Sequence, residues 1–259
     1  MFQPLMSASA ALRNQQTRLD KIANNVANIN TTAFKSFRLD LTDSRYVDGI
    51  TPGRARNPDA NQQKGHGILI GGITMDFRGG NIQVTGIDLD FSLEGEGFFT
   101  VGKLGEDALY TRNGRFSLSV EADGTYLVNA SGLYVLDPNG ARIRVPDNTI
   151  KFDAGLDGTI TFITSGPEEN TTVDLGIFTF RNLTGLHSVG SSLFAAEESA
   201  GERMVPEGTV LRQGTLESSN VNLPEEVTRM IRTQRAFQLA SRALTTADEM
   251  EGIANNMRR

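Results

Sequence analysis

The sequence of 259 residues predicts a mixed, mainly β protein, with a β-rich central body and long N- and C-terminal α-helices that pair as a coiled coil. The first observation is the placement of glycine, because none of the 27 glycines precedes Gly49 and only Gly252 follows Gly214. Glycine is unfavourable inside helices and useful in tight turns. The second observation is a seven-residue spacing of apolar residues at both ends. The third is alternation of apolar and polar residues between them.

The N-terminal segment is predicted to be a helix that frays near residue 30. Pro4 suits the first turn, where a missing N–H costs nothing, and asparagines crowd the end, where their side chains compete for backbone hydrogen bonds. Apolar residues recur every seven positions, which is typical of a helix that packs on other helices. Gln15 is a polar exception on this apolar stripe, the seam. The predicted seam residues are Leu5, Leu12, Leu19, Ile22, Val26 and Ile29.

The C-terminal segment predicts a second helix, from about residue 223 to 257. Asn222 and Glu225 resemble a capping box, and Pro224 falls in the first turn, where proline is tolerated. At 1.5 Å per residue the helix would be roughly 50 Å long, which is more than a compact domain of this size easily hides. Its predicted seam residues are Leu223, Met230, Phe237 and Leu244.

Both seams have two possible interpretations. For most amphipathic helices, ordinary packing inside one monomer explains such a stripe. Here the two long helices sit at opposite ends of the chain, and alone they would form a thin hairpin with apolar surface still exposed. Because exposed apolar surface of that kind usually marks an interaction site, we favour assembly with other subunits.

The middle of the chain predicts short strands, and with them an all-β sandwich or barrel-like unit. Residues 87–93 alternate strictly, as in a half-buried strand, and 116–128 read as a hairpin around Asp123 and Gly124. Residues 49–67, with little apolar content, predict a loop or extended arm. The predicted domains are a terminal-helix assembly domain (1–35 with 222–259), a connecting arm (36–80 with 204–221) and a β-rich body (81–203).

Composition excludes several function classes. The net charge of −6 argues against nucleic-acid binding, and the absence of Cys excludes disulfides and thiol chemistry. His66 and His187 have no partners nearby in sequence, and Asp88 and Asp90 are better explained as the polar side of a strand than as a catalytic pair. We therefore expect no enzyme activity, cofactor, metal or small-molecule substrate. We also expect no membrane span and no cleaved signal.

Three segments, in the same order along the chain, resemble bacterial flagellar rod and hook proteins. The first is ANNVANINTTAFK at 23–35, although the family more often has Gly where Ala33 stands. The second comprises LEGEGFF at 93–99 and YTRNGRF at 110–116, and the third comprises ESSNVN at 217–222 and QRAF at 234–237. The motif residues in the first segment are Asn24, Asn25, Asn28, Asn30, Thr31, Thr32, Phe34 and Lys35.

The resemblance implies a structural subunit of the flagellar basal-body rod that polymerises through its terminal helices into a hollow helical tube and transmits motor torque to the hook. The implied partners are copies of itself, other rod and hook proteins and the flagellar type III export apparatus, without a cleavable signal. Length and residues 34–46 favour a distal over a proximal rod position. The alternatives are a proximal rod or related hook-basal-body protein, or a soluble β-domain binding module dimerised by its helices.

Overall fold

The computed structural model describes residues 2–44, 46–48, 63–65, 68–103, 107–165 and 170–257. Contacts divide the chain into two compact units. The first, here called the helical unit, comprises Met1–Ala27, Phe37–Met75 and Asn222–Arg259. The second, the β unit, comprises Asn28–Ser36 and Asp76–Val221. Most of the predicted 49–67 loop and His66 lie outside the described residues.

The helical unit is built on two helices, α1 (Phe2–Ala27) and α2 (Leu223–Met257), which pack along each other. The predicted pairing of the terminal segments within one chain is therefore present. α1 ends at Ala27, three residues earlier than the fraying point predicted from its asparagines. In the described part of the chain, no helix is both long enough and apolar enough to cross a membrane.

The start of α2 shows the Asn222 half of the capping box that the sequence predicted. The Asn222 side chain accepts a hydrogen bond from the Glu225 N–H at 3.4 Å, and the Asn222 carbonyl accepts one from the Glu226 N–H at 3.0 Å. Glu225 pairs forward with Arg229 along the helix. The Asn222 side chain thus satisfies one donor, the Glu225 N–H, that would otherwise be left without a partner in the first turn, and its carbonyl accepts the first regular bond of the helix.

Within its described residues, the helical unit also contains four strands. A long antiparallel pair aligns Phe37 with Met75 and Asp43 with Ile68, and its register shifts after Asp40. A short pair aligns Tyr46 with Gly65. The long pair also contacts α1. The strands are β1 (Phe37–Asp43), β2 (Tyr46–Asp48), β3 (Gln63–Gly65) and β4 (Ile68–Met75).

The β unit holds seventeen strands within the described residues, and every pairing among them is antiparallel. They are β5 (Ile82–Val84), β6 (Asp90–Glu94), β7 (Phe98–Gly102), β8 (Leu109–Thr111), β9 (Gly114–Glu121), β10 (Gly124–Asn129), β11 (Tyr134–Val135), β12 (Arg144–Val145), β13 (Thr149–Ala154), β14 (Thr159–Thr164), β15 (Thr171–Asp174), β16 (Ile177–Phe180), β17 (Leu186–Gly190), β18 (Leu193–Ala196), β19 (Arg203–Met204), β20 (Val210–Gln213) and β21 (Thr215–Glu217).

One large sheet follows the order β17-β18-β8-β7-β11-β10-β9-β6-β20, with β12 on β10, and β16 and β19 continuing from β7. β13, β14 and β15 form a second sheet, and β21 pairs with β5. The two larger sheets share one apolar core, which includes Phe91, Phe99, Leu127, Ile160 and Phe162, each at most 1% exposed. Burying each such side chain contributes roughly 1.5–3 kcal/mol, so this core dominates the stability of the unit.

The sequence-based strand assignments were partly right. The hairpin around Asp123 and Gly124 is present as β9 and β10. The strand predicted over 87–93 begins only at Asp90, and it is not half-buried, because Asp90, Ser92 and the apolar Phe91 are all buried. The apolar core covers the Phe91 face of β6, and on the other face Ser92 hydrogen-bonds with Thr215 of β21 at 2.7 Å, so strict alternation indicated the wrong exposure.

The predicted arm is divided between the two units. Residues 37–75 group with the helices, whereas 204–221 group with the β unit. The three-domain division, with boundaries at 36, 81 and 204, therefore stays a prediction about the protein in its assembled form.

Candidate functional site

The predicted seam residues of α1 differ in how deeply they are buried in the helical unit. Ile22 is 5% exposed, and Leu12, Leu19 and Val26 are half-buried. Gln15 is buried as well, although its side-chain oxygen has no hydrogen-bond partner among the described residues. The Leu5 side chain lies outside the described part, and Ile29 lies beyond the end of α1, in the turn that follows.

The seam of α2 is less completely covered. Met230, Phe237 and Leu244 are half-buried, whereas Leu223, at the first position of the helix, is 42% exposed. Partial burial of both seams indicates that pairing of α1 with α2 covers only part of their apolar surface.

α2 also carries apolar residues that its pairing with α1 leaves in solvent. Their exposures range from 41% to 79%. Exposed apolar residues that share one face of a helix mark an interaction site, whereas isolated ones need no explanation. The outer apolar residues, as we call them below, are Val227, Ile231, Leu239, Met250, Ile253 and Met257.

Asn25, from the first family-like segment, is the most buried of its asparagines, at 1% exposure. Its amide makes two hydrogen bonds with the backbone of Phe37, one donated to the carbonyl and one accepted from the N–H, both at 2.9 Å. An amide side chain carries both a carbonyl acceptor and N–H donors, so it can satisfy a backbone N–H and a backbone C=O together. Asn25 therefore fixes the first residue of β1 beside the last turn of α1.

From Asn28 onward, that segment forms a turn in the β unit, whereas Asn24 belongs to α1. The Thr31 hydroxyl donates to the Asn28 side chain at 3.1 Å, and the Thr32 carbonyl accepts from Ser192 at 3.3 Å. Asn24 and Asn30 are exposed, and Phe34 is half-buried. These residues thus shape the backbone rather than meet in a chemical site.

A left-handed residue closes the turn. Ala33 has a φ of +56° and is completely buried, and its N–H donates to the Glu217 carbonyl at 2.8 Å. Only glycine adopts this conformation without strain, which costs an alanine roughly 1–2 kcal/mol. The geometry therefore suits glycine at this position better than alanine.

We therefore expect Ala33→Gly to leave the free energy of unfolding within about 1 kcal/mol of the parent, because relieved strain offsets the lost methyl and the added chain entropy. Ala200→Gly is the matched control, since Ala200 is equally buried but has no positive φ, and it should lose about 1–2 kcal/mol. Urea unfolding of the full chain measures both. Equal losses would contradict the strain at Ala33.

The β unit contains a buried ion cluster. Lys35 Nζ is 2.6 Å from Glu217 Oε1, and Arg112 Nη1 is 3.4 Å from Glu217 Oε2. All three side chains are at most 4% exposed. One carboxylate thus bridges two cations in an interior that excludes water.

Backbone groups complete the coordination of the cluster. Lys35 also donates to the Arg78 carbonyl at 2.9 Å, and Glu217 accepts from the Gly80 N–H at 2.8 Å. Arg112 donates to the Leu93 and Gly95 carbonyls, while its Nε has no partner among the described residues. Burial lowers the pKa of Lys35 and of Arg112, and the facing Glu217 carboxylate opposes both shifts.

Asn220 holds the segment beside the cluster. Its side-chain oxygen accepts from the Ser36 N–H at 2.8 Å, and its amide donates to the Asp76 carbonyl at 2.6 Å and to the Arg78 carbonyl at 3.1 Å. Lys35 and Ser36, near the beginning of the chain, are thereby joined to residues more than 180 positions later.

The sequence predicted the importance of the segments that contain the cluster residues, but not that these segments contact one another. Lys35 was a predicted site residue, whereas Arg112, Glu217 and Asn220 were recognised only as parts of motifs. The signal available in the sequence was a charged residue within a run of apolar or small residues. Charged side chains are almost never buried unless they are paired, so a charge in such a run indicates a buried ion pair. Among the described residues, no group of His, Asp and Glu could hold a metal ion.

Comparisons with known proteins match the same three parts of the chain. The family model described as flagella basal body rod protein matches residues 5–35, and that of the flagellar hook protein FlgE/F/G D1 domain matches 92–162. The model of the flagellar basal body rod FlgEFG protein C-terminal region matches 212–257. Lys35, Arg112 and Glu217 each fall in a different one of these regions.

Whole-length relatives agree. The chain is 35% identical over 268 residues to the flagellar basal-body rod protein FlgG of Bacillus subtilis, with 100% of both chains covered. It is 35% identical over 274 residues to the protein of that name in Borreliella burgdorferi, again with both chains covered completely. The relative of the same name in Agrobacterium fabrum is 34% identical over 265 residues, and 97% of each chain is covered.

Proposed function

The chain belongs to the flagellar basal-body rod protein family, and from this premise we propose that it is a structural subunit of the rod in the flagellar basal body. The family is structural rather than enzymatic. A subunit of this kind acts by assembling with copies of itself and with other rod and hook proteins.

The outer apolar residues of α2 are the observation that supports assembly most directly. Met250, Ile253 and Met257 recur at spacings of three and four, so they form one stripe, and each is at least 59% exposed in a single copy. Apolar residues on this scale are normally covered by a partner. Helices from neighbouring subunits would cover them while the seam residues stay packed within each copy.

We propose that assembled copies form a hollow helical tube through their terminal helices. In such an assembly, one surface of a copy meets a different surface of the next copy. Repeating this contact builds an open helix whenever the rotation between successive copies does not close into a ring. The tube would transmit motor torque to the hook, and the predicted arm would stiffen it.

Export through the flagellar type III apparatus, without a cleavable signal, follows from the same proposal. Before assembly, the helix pair alone buries too little surface to offset the entropy of ordering two long segments. We therefore propose that the terminal segments pass through the export channel unfolded and order when neighbours are present.

Two alternatives lead to different observations. A proximal rod or related hook-basal-body protein would share the fold and differ in where assembly stops without it. A soluble β-domain binding module dimerised by its helices would have protease-resistant terminal segments in the free protein. The 35% identity over the whole chain to relatives named FlgG favours the distal rod position.

Electron microscopy of basal bodies from a strain that lacks this gene tests the proposal. We expect rods that stop short, no hook or filament, and loss of motility, with recovery of all three on complementation. A longer residual rod would indicate the distal position, and a shorter one the proximal. Complete basal bodies on motile cells would contradict a role as a rod subunit.

A further inference from the structure

A cavity of about 250 Å³ lies in the helical unit, where α1, α2 and β1 meet. Ile22, Phe37 and Leu39 supply its apolar wall. Ile22 is the one seam residue in the lining, and no residue of the ion cluster lines the cavity. The charged residues around the cavity therefore have no role in the helix seam or in the ion cluster.

Basic side chains outnumber acidic ones around this cavity, by four to two. One acid is already neutralised, because Glu226 is 4% exposed and lies 3.1 Å from Arg229. Lys21 Nζ lies 5.0 Å from the centre of the Phe37 ring. Within the described residues, no carboxylate lies at ion-pair distance from Arg18 or Lys21. The charged residues lining the cavity are Arg18, Lys21, Arg38, Arg229, Asp40 and Glu226.

The lining of the cavity suits a ligand with an anionic group at the end of a short apolar chain. The half-buried cations on α1 provide attraction, and the apolar wall accommodates methylene groups. A partly desolvated cation strengthens its interaction with a carboxylate relative to a fully exposed pair. An aspartate or glutamate side chain meets these requirements.

Charge indicates the source of that acid. The helical unit has a net charge of +4 and the β unit one of −10, which together give the −6 of the whole chain. The β unit presents a run of exposed acids at Glu197, Glu198 and Glu202. Opposite net charges on two parts of one chain favour a contact in which the helical unit of one copy meets the β unit of the next.

We propose that this cavity binds an acidic side chain from the β unit of a second copy of the chain, with Arg18 and Lys21 as its main contacts. The proposal rests on assembly of the chain into a rod. It assigns the cavity a role in the contact between neighbouring subunits and gives that contact a dependence on salt.

Carbodiimide cross-linking of purified basal bodies tests the proposal, because it joins a lysine amine to a carboxylate only when the two are in contact. We expect mass spectrometry to find the Lys21 peptide linked to an acidic peptide from residues 76–221, in a species of twice the chain mass. Lys21→Arg keeps the charge but not the reactive amine, so it should abolish that link and keep the rod.

Charge reversal provides the second measurement. Arg18→Glu should reduce motility and rod yield, whereas Arg13→Glu, at an exposed position of α1 away from the cavity, should not. The proposal would be overturned if Lys21 formed links only within its own chain or only to another protein. It would also be overturned if Lys21 formed no link while other lysines reacted. If the chain were not a rod subunit, it would be absent from the basal bodies altogether.

Discussion

Replacing Glu217 by glutamine is expected to destabilise the β unit by about 3–5 kcal/mol, which is the usual cost of leaving a buried charge without its partner. The substitution keeps the shape of the side chain but removes its charge. Lys35 and Arg112 would then be two buried cations with no anion between them. Chemical unfolding of the full chain measures the loss, with Tyr110, Tyr126 and Tyr134 reporting on the β unit.

Lys35→Met should cost less than Glu217→Gln, because Arg112 and Glu217 remain as a neutral pair. The order of the two losses therefore tests whether the carboxylate is the centre of the cluster. Glu94→Gln is the matched control, since Glu94 pairs with Arg212 at about half exposure and its loss should be within about 1 kcal/mol. A loss from Glu217→Gln no larger than that of the control would contradict the cluster.

The cluster also shows what sequence reasoning could and could not reach. Its three members were visible as motif residues, but Lys35 and Glu217 are 182 positions apart. Local spacing contains no information on such a contact. The pairing of β21 with β5 likewise depends on how the whole β unit packs, so the periodicity of the sequence cannot predict it.

The helices were predictable for the opposite reason. Seven-residue spacing, the Asn222 cap and the scarcity of glycine, with only Gly252 in either helix, are all local signals, so the existence of α1 and α2 followed from them. Exposure was harder to predict, because it depends on neighbours. Alternation across Asp90 and Phe91 indicated one buried face, whereas the apolar core on one side and β21 on the other bury both faces of β6. Ile29 kept the spacing but lies beyond the end of α1.

Leu19→Asp or Phe237→Asp is expected to abolish rod assembly and motility while the β unit stays folded. Both side chains are half-buried in the helical unit, and a carboxylate there would lose its hydration without gaining a partner. Gln16→Asp, at an exposed position on α1, is the control and should assemble. Electron microscopy of basal bodies reports assembly, and near-ultraviolet circular dichroism of the purified chain reports the β unit.

A further substitution separates packing within one copy from packing between copies. Leu239 is 66% exposed in a single copy, so Leu239→Asp should leave the free energy of unfolding almost unchanged. In an assembled rod the same position would be covered by a neighbouring helix, and the carboxylate would then block growth. If Leu239→Asp built complete rods while Leu19→Asp did not, the seam would act only inside the subunit, and the subunits would have to meet through other surfaces.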